Sequence, residues 1–423
     1  MWHVEPIAQD HVEVFRSPDP QAMFCYSPGI LRLDSGRLVA TMDLGGPGVA
    51  ELPGPKRGAD NGAKAWQGKV FVSDDHGSTW RHVVDFPFIH ARPFVAGNRI
   101  YVLGHDGRLM IIASDDQGET WTAPTNLTEG DVWHQAPANV WHTRDNIYLV
   151  MENRPASDVQ GWNVTAMAPV LMRGPEAEDL TRPEAWTFAS SMVFRDVVPI
   201  DELDWFGVPF YQGPGNRTVK IADGGRNFAP IGWLETNVVQ FPDPEHIWHD
   251  PTGRTFHLFA RAHTGRTGYA ALCKVVEHED GSMETGLVTA PSGRRMLYTP
   301  MPGGQMKFHV LYDEVDGLYW LLSTQSTDSM RRPEALPKGR YGLPDNERRR
   351  LTLHFSRNMI DWCFAALVAV GPVEHGSRHY ASMTFDGDDL HVLSRSGDAE
   401  ARTAHDGNII TFHTVKDFRR LVY

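Results

Sequence analysis

Three acidic residues stand apart from other charges inside apolar runs: Glu152 in LVMENR, Glu235 in LETNVV and Asp43 at the end of LVATMD. Burial raises a carboxyl pKa and a neighbouring guanidinium lowers it, so a set of this kind can supply an acid and a base at one pH. Around them, at the ends of β-like runs, recur His90, Arg92, His105, His134, Arg154, Arg261, His263, Lys307, His309, Arg378, His379 and Tyr380. Gathered at one opening, such groups suit a carboxylate, sulfate or phosphate ligand, because low-dielectric walls focus the field and Arg offers a bidentate fork.

Other chemistries lack support. No His-x-x-x-His spacing involves His90, His105 or His134, no Cys-x-x-Cys is present, and GGPG at 45–48 follows a β-like run without opening a helix, so it reads as a turn. No nucleophile elbow marks a Ser-His-Asp triad. No cofactor is expected; His90, His105, His134 and Glu152 would be the ligands of a metal if the fold brought them together. Cys25, Cys273 and Cys363 lie far apart in apolar stretches and read as free buried thiols.

Positioning these groups falls to β-structure. SDDHGSTW at 73–80 and SDDQGETW at 114–121 share Ser-x-Asp-x-Gly-x-Thr-Trp, each between β-rich runs, which predicts a repeated hairpin turn; SRNMIDW at 356–362 is a degraded copy. A second pattern, apolar strand, short acidic or Gly turn, apolar strand, occurs in ILRLDSGRLVAT, FVAGNRIYVLG, VWHTRDNIYLVM, WHDPTGRTFHLFA, HVLYDEVDGLYWLLS and MTFDGDDLHVLS. Six such units predict an all-β, six-bladed β-propeller as one domain over 1–423, at about 70 residues per blade against roughly 40–50 in compact blades. HVEVFR at 11–16 is expected to close the ring against the last blade, leaving no free edge. The surplus length falls in insertions at about 43–66, 196–230 and 327–350 on one face. The second insertion offers Trp205 and Tyr211 for stacking on a sugar, and the third offers Arg331, Arg332, Lys338, Arg340 and Tyr341.

The 423 residues carry a formal charge of -13, which argues against nucleic acid or anionic membrane as a partner. No stretch reaches the roughly 18 apolar residues of a membrane span, and MWHVEPIAQD lacks the features of a secretory signal, so a cytoplasmic location is expected. The expected partner is a small anionic oligosaccharide, with oligomeric state open.

The Ser-x-Asp-x-Gly-x-Thr-Trp turns resemble the Asp boxes of the sialidase-like β-propellers, and the likeness in blade layout spans nearly the whole chain. In that family a carboxylate on an inner strand, followed about 25 residues later by Arg, assists a Tyr nucleophile and clamps the substrate carboxylate. LETNVVQF and FHLFARAH place Glu235 and Arg261 alike, and HYASM makes Tyr380 similar to the nucleophile. Where sialidases open with Arg-Ile-Pro, this chain has CYSPGILRL, with Ser27 and Pro28 in the region of the first clamp arginine. His90, His105 and His134 are similar instead to the sets of propeller-type polysaccharide lyases, which neutralise a uronate and remove its C5 proton.

Three readings follow. The first is an exo-acting glycoside hydrolase on a terminal anionic sugar of uronic-acid or sialic-acid type, with Glu235 and Tyr380, or Glu152 and Asp43, in catalysis and Arg261, Arg154 and Arg378 positioning the acid group. The second is a lyase using His134, His105 or Tyr380 with Arg92 or Arg261. The third is a non-catalytic glycan-binding propeller.

Overall fold

The computed structural model describes residues 4–58, 65–130, 132–155, 158–159, 163–198, 219–222, 226–228, 232–262, 268–327, 335, 347–373 and 376–423. Six antiparallel sheets pair strands A to D side by side, the arrangement of propeller blades, and Val219–Ala222 with Arg226–Phe228 forms a separate two-stranded sheet. Blade 1 comprises Phe24–Arg32, Leu38–Gly46, Ala65–Ser73 and Arg81–Phe86. Blade 2 follows with Ile89–Ala96, Arg99–His105, Leu109–Ser114 and Thr125–Asn126. Blade 3 has a broken strand A, Trp133–His134 and Trp141–Thr143, then Asn146–Asn153, Ala168–Pro175 and Thr187–Phe188. Pro137, which cannot donate to a ladder, lies in the gap.

Blade 4 is Trp233–Val239, Thr255–Ala262, Tyr269–Glu277 and Met283–Thr289, widened by Tyr298–Pro300 pairing beside Tyr269. Blade 5 is His309–Asp313, Leu318–Thr324, Arg350–Ser356 and Cys363–Val370. Blade 6 is Ser377–Asp386, Asp389–Gly397 and Ile409–Val415, with Val12–Arg16 as its outer strand. The N-terminal segment therefore closes the ring, pairing Val12 with Phe412 and Arg16 with Ile409.

The strands read as nearly continuous apolar runs because both faces of each blade are covered. Alternate residues serve opposite neighbours. On strand B of blade 2, Tyr101 and Leu103 pack towards blade 3 with Leu149 and Met172, whereas Ile100 and Val102 pack towards blade 1 with Val70 and Phe86. An apolar cluster of this kind fills each of the six junctions between adjacent blades. Cys25 and Cys273 are buried free thiols, while Cys363 is only half-buried.

The two Ser-x-Asp-x-Gly-x-Thr-Trp turns are built alike. Asp75 Oδ1 accepts from the Thr79 amide at 2.8 Å and from Ser73 Oγ at 2.8 Å, Gly77 N donates to Ser73 Oγ at 2.9 Å, and Trp80 Nε1 donates to Gly77 O at 3.0 Å. Asp116, Ser114, Gly118 and Trp121 repeat this at 2.8, 2.8, 2.9 and 3.0 Å. In the degraded copy Asn358 Oδ1 accepts from the amides of Ile360 and Asp361, and Met359 takes the positive φ of 63°. No helix among the described residues is long and apolar enough to cross a membrane.

Candidate active site

Strand A of four blades carries an extra residue near its entry. Register shifts fall between Tyr26 and Gly29, Ile89 and Arg92, Leu234 and Asn237, and His379 and Ser382. Within each shift one non-glycine residue adopts a left-handed backbone: Ser27 (φ 45°), His90 (55°), Glu235 (56°) and Tyr380 (51°). Such conformations cost roughly 1–3 kcal/mol each and persist only where the surroundings over-determine them. Here they occupy the same place in blades 1, 2, 4 and 6, and two of the side chains they carry meet.

The Tyr380 hydroxyl donates to Glu235 Oε1 at 2.6 Å and accepts from Arg261 Nη1 at 2.7 Å, and Arg261 Nη1 lies 3.2 Å from Glu235 Oε2. Arg261 is fixed from behind by Nε donating to Gln305 O at 2.9 Å. Burial pushes the Tyr380 phenol up to about 12, against the opposing pull of the Arg261 charge. The phenol is therefore neutral at physiological pH, with a proton acceptor and a cation already in contact with its oxygen.

Two further guanidinium groups flank Tyr380. Arg348 lies 5.5 Å and Arg395 5.2 Å from the ring centroid, and Arg395 also stacks over Tyr26 at 4.1 Å. Arg348 Nη1 donates to His379 Nδ1 at 3.0 Å, so His379, neutral because burial lowers its pKa well below the ordinary value, orients a cation. Arg395 Nη2 donates to His405 O, and its Nε is buried without a partner.

Asp43 lies on strand B of blade 1 opposite Tyr26. Its Oδ1 accepts from the His90 amide at 3.0 Å and its Oδ2 is buried without a partner. Burial raises it to about 7, against the lowering effects of the His90 amide and Arg395. Glu152, opposite His134 on blade 3, accepts from Thr236 N at 3.1 Å and Thr236 Oγ1 at 2.8 Å through Oε1, and its buried Oε2 has no partner. Burial raises Glu152 to about 8, so it is largely protonated at neutral pH.

His90, His105 and His134 come together. His90 Nδ1 and His105 Nε2 share a hydrogen bond of 2.9 Å, and the His134 ring centroid lies 5.1 and 5.7 Å from those of His90 and His105. Desolvation lowers His90 to about 3 and the other two well below the ordinary value, so all three are neutral. Among the described residues, the grouping whose potential metal-ligating atoms lie within 4.8 Å of one another is a different one, His76, Asp386 and His391 at the A-to-B and C-to-D turns of the opposite face. There Arg32 Nε holds Asp386 at 2.5 Å.

Several residues expected at the opening face the wall instead. Arg92 is 1% exposed and donates to Asn139 O at 3.1 Å and Val150 O at 2.7 Å. His309 Nδ1 accepts from the Met383 amide at 3.3 Å, as Asn237 and Asn139 Oδ1 accept from Val310 and Val238, each joining one blade to the next. Arg378 donates to Ser377 O and Gly397 O. Lys307 Nζ donates to Ala381 O at 2.5 Å and Ser382 Oγ at 3.0 Å, and burial pulls it down to about 7. Trp205, Tyr211 and His263, with Arg331, Arg332, Lys338, Arg340 and Tyr341, lie outside the described residues.

No protein-family model matches the sequence, and no curated protein does. Solved structures do match. The Hadza microbial sialidase Hz136 aligns at 15% identity over 96% of this chain and 68% of its own, with a TM-score of 0.54. The Trypanosoma rangeli sialidase in complex with the inhibitor DANA aligns at 13% identity over 97% of this chain, with a TM-score of 0.55; the chain spans 60% of that sialidase. The Penicillium chrysogenum alpha-L-arabinanase complexed with arabinobiose aligns at 12% identity over 97% of this chain and 99% of its own, with a TM-score of 0.50. This chain has the six-bladed sialidase-like propeller fold.

Within this propeller, sequence reasoning passed over Arg348. It ends the insertion in the run Arg348-Arg349-Arg350, where Arg349 turns to Gly371 O and Arg350 to Thr327 Oγ1, and nothing in three consecutive arginines says which one enters the site. Trp66 was missed as well; its ring lies 5.1 Å from Tyr26 and 6.3 Å from His90, and only its place at the start of strand C, opposite Gly45, gives it away.

Proposed function

We propose that this protein is a glycoside hydrolase that removes a terminal anionic sugar from an oligosaccharide, with Tyr380 as nucleophile. The observation that carries this reading is the triangle of Tyr380, Glu235 and Arg261 beside Arg348 and Arg395. As the phenol oxygen bonds to the anomeric carbon, its proton passes to Glu235 Oε1, and Arg261 stabilises the charge that develops on the oxygen. A neutral nucleophile suits an anionic sugar, since a carboxylate in its place would be repelled. Arg348 and Arg395 supply the cationic contacts for the acid group. Asp43, half-protonated near neutral pH, gives its proton to the leaving oxygen as the glycosidic bond breaks; it then takes a proton from water, whose oxygen bonds to the anomeric carbon while the Tyr380 oxygen leaves it and recovers its proton from Glu235. That solved sialidases share the fold supports the reading at the level of architecture.

The elimination reading retains one favourable observation, the neutral imidazoles of His90, His105 and His134, which can accept a proton. Arg92 is committed to backbone carbonyls and is not placed to neutralise a uronate. The test is product mass after digestion of sialic-acid- and uronate-capped oligosaccharides in isotopically labelled water. Hydrolysis places one labelled oxygen on a product, and elimination leaves an unsaturated product lighter by one water with no label. Failure to turn over any capped oligosaccharide would reject both.

A further inference from the structure

If Asp43 protonates the leaving oxygen, the leaving group must lie beyond Asp43, away from Tyr380. The wall there is His90, whose amide holds Asp43, then His105, and past them two arginines outside the Tyr380 cluster, Arg57 and Arg154, the second of which the sequence assigns to the acid group of the cleaved sugar. Arg57 is fixed by a two-way backbone bridge to Trp66, at 2.9 and 3.0 Å, and its Nη2 lies against Gly107, 3.9 Å from where a Cβ would stand. Gly107 O accepts from Trp133 N at 2.9 Å, and Arg154 N donates to Val132 O at 2.8 Å. The Arg57 guanidinium thus lies at Gly107, and the backbone of Arg154 is tied to the adjoining 132–134 segment of the opening.

Neither guanidinium has a carboxylate of its own among the described residues. Among the described residues no ion pair involves Arg57 or Arg154, and Arg154 Nε is buried without a partner. The carboxylate whose charge reaches Arg57 is Asp106, and Arg108 already holds it at 2.6 Å. Burial lowers the pKa of both arginines, and each charge helps to depress the neighbouring histidines. Two half-buried like charges held together cost free energy unless an anion joins them. The acid group of the cleaved sugar cannot be that anion, because it is occupied by Arg348 and Arg395 on the Tyr380 side.

We infer that Arg57 and Arg154 form a second anion site, which binds a carboxylate, sulfate or phosphate on the leaving-group side of the substrate. The inference rests on the hydrolase reading for its orientation. The substrate is then a glycoside with two acidic groups flanking the cleaved bond. His90 and His105, being neutral, contribute hydrogen bonds to the same oxyanion or to sugar hydroxyls without adding charge.

The test compares one anionic sugar joined to three acidic leaving groups (carboxylated, sulfated, phosphorylated) and to a neutral one, with wild type, Arg57→Gln, Arg154→Gln and Arg154→Lys. In wild type, kcat/KM should favour at least one acidic leaving group over the neutral one by roughly 10- to 100-fold, expressed mainly in KM. This ratio should collapse towards one in each Gln variant and be partly kept by Arg154→Lys. A wild-type ratio near one, or a ratio that survives both Gln variants, overturns the second site while turnover of the neutral-leaving-group substrate upholds the hydrolase reading. Should no substrate turn over, calorimetric titration with inorganic sulfate still decides the matter. Two binding events in wild type and one in the Arg57→Gln, Arg154→Gln double variant are expected; the same number in both proteins rejects the site.

Discussion

The phenol of Tyr380 and the carboxylate of Glu235 are 2.6 Å apart across the axis, although 145 residues separate them in the chain. Each sits at the single left-handed residue of its strand. Blades 4 and 6 each supply half of a proton-transfer pair, and the backbone irregularity common to both aims the two halves at one point.

Replacing Tyr380 by Phe removes the nucleophile but keeps the ring between Arg348 and Arg395. Turnover should fall by at least about 10³-fold, with substrate binding largely kept. Equal kcat in Tyr380→Phe, measured on any substrate the wild type cleaves, would reassign the nucleophile.

Glu235→Ala leaves Arg261, 3% exposed, without its carboxylate, and should destabilise the fold by roughly 3–5 kcal/mol, whereas Glu235→Gln keeps a hydrogen-bonding partner and should cost less. Denaturant midpoints of the two variants check the order.

The raised pKa values of Asp43 and Glu152 set the pH dependence. A carboxyl whose folded pKa exceeds its unfolded value takes up protons on folding, so its contribution favours the folded state at low pH and is progressively lost as pH rises from about 4 towards 7 for Asp43 and about 8 for Glu152. Asp43→Asn should therefore be more stable than wild type at pH 8, by up to about 4 kcal/mol, with little difference at pH 4. The same substitution should lower kcat by roughly 10²–10⁴-fold on natural linkages and much less on aryl glycosides that need no protonation. In wild type, activity should decline above about pH 7 as Asp43 loses its proton. Thermal melts and pH–rate profiles of both proteins provide the check.

Gly77 and Gly118 occupy equivalent turns at φ 85° and 89° but face different surroundings. A Cβ on Gly77 would come within 2.1 Å of the Phe412 ring in blade 6, and one on Gly118 would meet nothing nearer than 3.5 Å. Gly118→Ala should cost roughly 1 kcal/mol for backbone strain alone, and Gly77→Ala about 1–3 kcal/mol more because it wedges the junction where the ring closes. Equal midpoints for the two variants would refute this difference.

Much of the fold was legible because its signals are local. The acidic hairpin turns and the Ser-x-Asp-x-Gly-x-Thr-Trp turns depend on residues within eight positions of one another, and the six units follow from counting them. The opening was only half legible. Two-residue alternation puts His90 with Arg92 and Arg378 with Tyr380 on one face, but the extra residue at each strand entry breaks that alternation, so His90 and Tyr380 face the axis while Arg92 and Arg378 turn to backbone carbonyls. No residue type announces the irregularity: Ser, His, Glu and Tyr adopt it in turn. The pairing of Glu235 with Arg261 and Tyr380 was reached through family resemblance, since three residues on two blades leave no periodic trace.

The central claim, that the Tyr380 oxygen bonds to the anomeric carbon, is tested most directly by trapping. A fluorinated anionic glycosyl fluoride, which forms the covalent intermediate faster than water releases it, is incubated with the protein, and the peptide digest is read by mass spectrometry. A glycosyl adduct on the peptide carrying Tyr380, absent from Tyr380→Phe, is the predicted result. An adduct on Asp43, Glu152 or Glu235 instead, or steady turnover of the reagent with no adduct at all, would contradict it.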